Sequence, residues 1–86
     1  MARVTVRYWA AAKEAAGTAE ENVSADTLAD ALNIVRGSRT GNSRFAAVLA
    51  RSSFLVDGAQ AGRHAPDTVV LPENAVIEVL PAFAGG

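Results

Sequence analysis

The two residues with the most evident chemistry are the last two. Gly85 and Gly86 close the sequence, and paired glycines give a slim, unbranched backbone that can carry an α-carboxylate into a narrow active-site channel. A carboxylate is a poor electrophile, so such a group does chemistry only after something activates it. The rest of the chain holds no means of doing so. There is no glycine-rich phosphate loop ending in Lys-Ser/Thr, since the single lysine is Lys13, and no acid and base are paired at catalytic spacing. Cysteine is absent, which excludes disulfides, thiolate metal sites, a cysteine nucleophile and a cysteine-borne persulfide. The one histidine, His64, stands in a polar loop with Arg63 and Pro66 and reads as a solvated side chain. Glu20 and Glu21 read as a solvated pair. No metal site and no bound cofactor is expected.

A carried group needs a handle, and the chain is long enough for one. Its 86 residues make a single domain. Half are hydrophobic, but 19 of those 43 are alanine, which leaves 24 larger apolar side chains for a core. The formal net charge is −1, so the strong basic field of a nucleic-acid binder is missing. The longest stretch free of charged residues is Val79 to Gly86, too short for a membrane span, and no apolar run follows Arg3 and Arg7 as in a signal peptide. A cytoplasmic protein is expected.

The elements follow from periodicity. Val4, Val6 and Tyr8 alternate with Thr5, Arg7 and Trp9, the period of a half-buried strand. Ala10 to Ala16 is helix-prone and stopped by Gly17 in the left-handed cap position. Glu21 to Val23 is a weak second strand. Leu28, Ala31, Leu32 and Val35 make one apolar stripe on a helix from Thr27 to Gly37, capped by Asp26 or Thr27 and ended by Gly37. Phe45 to Ala50 reads as one or two helical turns. Phe54 to Val56 is a strand entering an Asp57-Gly58 turn. Gly62 to Asp67 is irregular, Val69 to Leu71 a short strand, and Ala75 to Leu80 the last strand. Pro81, with no N–H to donate, ends the sheet and leaves residues 80–86 as a flexible tail.

If the first and last strands lie side by side and parallel, the connection must cross the sheet, and the main helix is the element able to do it. The expected architecture is α+β: a β-grasp, ubiquitin-like mixed sheet with one main helix on one face. Parity then puts Val4, Val6, Tyr8, Ala75, Ile77 and Val79 against the helix. On the opposite side Trp9 and Leu80 would share an exposed apolar patch, continued by Phe83.

Two blocks of sequence carry a family resemblance. Val6-Arg7-Tyr8-Trp9-Ala10-Ala11-Ala12-Lys13-Glu14-Ala15-Ala16-Gly17 looks like the aromatic–Ala–x–x–(Arg/Lys)–Glu–x–x–Gly run of the MoaD family, the small subunit of molybdopterin synthase. Val76 to Gly86 is similar to that family's terminal hydrophobic–Pro–Pro–x–x–Gly–Gly. Residues 46–58 look most like the actinobacterial second copy of MoaD. The chain departs at Glu73-Asn74, where the family has Gly-Asp, and at Ala82, where it has a second proline. The resemblance implies a ubiquitin-like sulfur carrier. An E1-like adenylyltransferase would use ATP to adenylate Gly86, and persulfide sulfur would convert it to a thiocarboxylate, a C-terminal 1-thioglycine. The large, MoaE-like subunit would accept that sulfur into cyclic pyranopterin monophosphate, so the chain would be a non-catalytic subunit of a sulfurtransferase. Phe83, Ala84 and Gly85 with Pro81 would form the inserted tail, and Trp9, Lys13, Leu80 and Phe83 the partner-binding residues. Three other roles stay open: a carrier for cysteine or thiazole biosynthesis, a ubiquitin-like modifier whose Gly86 is captured by a lysine amine, and an interaction module with an inert tail.

Overall fold

The structure, a computed structural model, describes residues 1–61 and 68–82. Strand β1 (Ala2–Tyr8) buries Val4, Val6 and Tyr8 and turns Arg3, Thr5 and Arg7 outward. Helix α1 (Ala10–Ala16) follows after a single residue, Trp9, and ends at Gly17, whose φ of 81° is the left-handed conformation that Gly adopts without strain. Strand β2 (Glu20–Ala25) pairs antiparallel with β1. Helix α2 (Leu28–Gly37) starts at Thr27, whose Oγ1 accepts from the Asp30 N–H at 3.2 Å, and buries Leu28, Ala31, Leu32 and Val35. Helix α3 (Ser43–Ala50) is capped by Asn42, whose Oδ1 accepts from the Phe45 N–H at 2.9 Å.

Strands β3 (Ser52–Val56) and β4 (Ala59–Gln60) form a hairpin. Its turn, Asp57-Gly58, has φ of 51° and 83°, the doubly positive conformation of the tight turns that match strand twist. Asp57 also fastens the hairpin to the last strand, its N–H donating to the Val76 carbonyl and its Oδ1 accepting from the Val76 N–H, both at 2.9 Å. That strand, β5 (Val76–Pro81), lies parallel to β1 and antiparallel to β3. The sheet order is β2-β1-β5-β3-β4. All the largest fully buried side chains, Tyr8, Phe45, Leu28 and Ile77 foremost, belong to one core between the sheet and the helices. Mixed sheet, crossover helix and strand order make this the β-grasp, ubiquitin-like fold.

Some elements differ from the sequence expectation. Among the described residues α1 and α3 form beside the main helix where helical pieces were expected, but α3 starts two residues before Phe45, because Asn42 caps it, and buries Phe45, Val48 and Leu49. Gly37 is the last helical residue of α2 rather than its cap; Ser38 caps it in right-handed conformation, and the left-handed glycine comes later, at Gly41. Val69 to Leu71 contributes only an isolated bridge, Val70 to Thr27. The fourth strand is β4, which the hairpin turn recruits. Pro81 is included in β5 opposite Ser52, since a strand-end proline can still offer its carbonyl. Asn74, at φ 65°, takes the turn before β5 as Asn readily does. The irregular segment expected at Gly62 to Asp67 lies outside the described residues.

Candidate functional site

The helices cover one face of the sheet and leave the other open. β1 and β5 present Thr5, Arg7, Val76, Glu78 and Leu80 there, and β3 presents Ser53 and Leu55. Arg7 is in register with Glu78 on β5, and Glu78 with Leu55 on β3. Trp9 continues the outward parity of β1. Its N–H donates to the Val79 carbonyl at 3.3 Å, which sets the residue level with Leu80. The indole lies over the open face and donates from Nε1 to Glu78 Oε1 at 3.2 Å. Trp9 is 45% exposed. Leu80, Leu55, Val76 and Pro81 are half-buried. Trp9 and Leu80 therefore do lie together on the side away from the core.

Backbone geometry holds the indole there. Ala10, the residue after Trp9, has φ of 48°, a left-handed conformation that costs a non-glycine residue about 1–2 kcal/mol. It turns the chain from strand to helix in one step, so Trp9 keeps its extended conformation and α1 folds back toward the core. Lys13 is exposed on α1, where it lines a shallow hollow with Trp9, Ala11, Glu14 and Thr18.

On the covered face a polar cluster was missed by sequence reasoning. Glu21 is not solvated like Glu20. Adjacent strand residues face opposite ways, so Glu20 reaches Arg7 across the sheet (3.8 Å) while Glu21 points inward. The buried Tyr8 hydroxyl donates to Glu21 Oε2 at 2.5 Å, and Arg39 Nη2 meets the same oxygen at 2.6 Å. Arg39 also stacks on the Phe45 ring, 4.7 Å from its centroid, and donates to the Ala16 carbonyl at 3.2 Å. Burial first, then the Glu21 carboxylate, raises the Tyr8 pKa well above its ordinary value. The parity that Glu21 shares with Val23 and Ala25, which face the core, was the one available signal; its arginine partner, on a loop 18 residues away, had none. Every member of the cluster is satisfied, and its role is to lock β1, β2 and the α2–α3 loop.

Among the described residues no group of three His, Cys, Asp or Glu side chains could hold a metal ion, and no helix is long and apolar enough to cross a membrane. Phe83, Ala84, Gly85 and Gly86 of the tail, and His64, lie outside the described residues; Pro81 and Ala82 bring the chain to the tail's root at the open end of β5.

No family model and no curated protein matches the sequence. Solved structures do. The small archaeal modifier protein 1 of Methanosarcina acetivorans superposes with a TM-score of 0.83 at 23% identity, covering 100% of this chain and 98% of that one. The modifier protein of the same name from Haloferax volcanii gives 0.77 at 20%, with 98% and 99% covered. Subunit 1 or 2 of the Helicobacter pylori molybdopterin-converting factor, solved as a complex of the two, gives 0.68 at 19%, with 98% and 99% covered. These likenesses show the fold.

Proposed function

We propose that this chain is a MoaD-type sulfur carrier of the cytoplasm whose Gly86 carboxylate is the carried group. The observation that supports this most is that β5, the central strand, runs directly into a tail ending in Gly85-Gly86, beside an uncovered aromatic–aliphatic patch. An E1-like enzyme would transfer AMP from ATP to the carboxylate, releasing pyrophosphate. The terminal sulfur of a protein persulfide would then displace AMP to give an acyl disulfide. A second thiol of the donor would cleave its S–S bond, releasing the thiocarboxylate and leaving a disulfide on the donor. The large subunit of molybdopterin synthase would receive the tail, and sulfur would pass to cyclic pyranopterin monophosphate. In this reading Trp9 and Leu80, with Phe83, hold the carrier on its partner, Lys13 borders that contact, and Pro81 and Ala84 with the two glycines set the tail's shape.

Co-expression with the adenylating enzyme and a persulfide donor, followed by intact-mass measurement, tests the reading. An increase equal to one oxygen-to-sulfur exchange is expected, and deletion of Gly86 should abolish it without lowering the melting temperature. An unchanged mass would count against the carrier role. A second reading, ubiquitin-like modification, is favoured by the likeness to archaeal modifier proteins; there Gly86 would be captured by a lysine amine and the mass would rise by a whole protein.

A further inference from the structure

Glu78 is the anomaly of the open face. It lies at the middle of β5, half-buried, with Val76 and Leu80 two residues to either side and Leu55 opposite on β3. Its register partner on β1 is Arg7, yet Arg7 is drawn the other way, to Glu20. Among the described residues no cation lies within ion-pair distance of Glu78, whose side-chain contact is the neutral Trp9 Nε1–H. A carboxylate in this position is tolerable while water reaches it. Once a protein covers Trp9, Leu55 and Leu80 it is not, because a buried charge without a counter-ion costs more than the apolar contact around it returns.

We propose that Glu78 selects the docking partner: the open face accepts a protein surface that sets an arginine or lysine side chain on the Glu78 carboxylate within an apolar rim fitted to Trp9, Leu55 and Leu80. The apolar rim supplies the contact and the carboxylate supplies the choice. A partner of equal shape with a neutral or acidic side chain at this point is rejected. Arginine fits best, since one of its N–H groups can take Oε2 while Oε1 stays with the indole. The inference rests on the carrier reading, which supplies the docking event, but adds the chemistry of the surface that docks.

The test uses the full chain and two probes, the large subunit of molybdopterin synthase and the adenylating enzyme from the same source, titrated calorimetrically at low and high salt. Glu78→Gln keeps an oxygen for the indole N–H and removes only the charge. Its affinity should fall about tenfold or more for at least one probe, with a flattened salt dependence and an unchanged melting temperature. Trp9→Phe, which removes the donor and keeps a ring, should leave the salt dependence as in the wild type. Equal or tighter binding by Glu78→Gln to both probes would overturn the charge selection and leave the carrier reading standing. Wild-type protein that binds neither probe would overturn both.

Discussion

The indole of Trp9 is an expensive thing to leave in water, and the structure leaves it there at 45% exposure with the strained Ala10 backbone behind it. The single hydrogen bond to Glu78 orients the ring without burying it. Truncation should therefore cost the free protein little and a complex much. Trp9→Ala is expected to weaken binding to the large subunit by about 2 kcal/mol or more, in the range for aromatic residues at interface centres, and to lower stability by less than that. Calorimetry beside thermal melts checks it. A large loss of stability with unchanged affinity would mean that the indole serves the core instead. The parity of β1 already set Trp9 on the side of Thr5 and Arg7. What parity could not supply was the hydrogen bond to Glu78, because that needs the parallel register of two strands about 70 residues apart, which no local pattern encodes.

Arg39 does for the elements what Glu78 does for the surface. From the loop between α2 and α3 it reaches the β2 carboxylate, the Phe45 ring of α3 and the last carbonyls of α1 and α2. Arg39→Ala would leave Glu21 against the Tyr8 hydroxyl without its cation and uncover the Phe45 ring. A loss of about 2 kcal/mol is expected, below the full value for a deeply buried pair because both side chains keep some water contact. Chemical denaturation measures it, and a loss under about 0.5 kcal/mol, as for an ordinary surface pair, would remove the cluster's structural role. This cluster also marks where the sequence stops being informative. The helix from Thr27 was readable from its stripe and its cap, and the strands β1 and β5 from alternation. The partners Tyr8, Glu21 and Arg39 were not, since each looks ordinary until the fold assembles them. β4 was equally hidden, because two residues hold no period and exist as a strand only through the turn that returns them to β3.

At the scale of the whole molecule, Tyr8 gives the fold an alkaline limit. It is the chain's one tyrosine, and its pKa is raised in the folded state by burial and by Glu21. A neutral acid with a raised folded pKa contributes its stability fully below the unfolded value, about 10, and loses it as pH climbs beyond. Stability of the wild type should thus fall above about pH 10, and Tyr8→Phe should flatten that fall. Tyrosinate absorbance followed with denaturation at each pH reports both. Ionisation of Tyr8 at its ordinary pH in the folded protein would contradict the buried cluster.

The sheet order β2-β1-β5-β3-β4 also fixes when this protein can be born. β5 is central, flanked by β1 and β3, and it is the last strand among the described residues. β1 is made first and must wait for a neighbour roughly 70 residues later, a closure whose entropy is met only when the ends come together. Until Ile77 and Val79 leave the ribosome the strand that joins β2-β1 to β3-β4 is missing. A chain stopped before β5 is therefore expected to stay unfolded, which circular dichroism of a fragment ending at Asn74 checks.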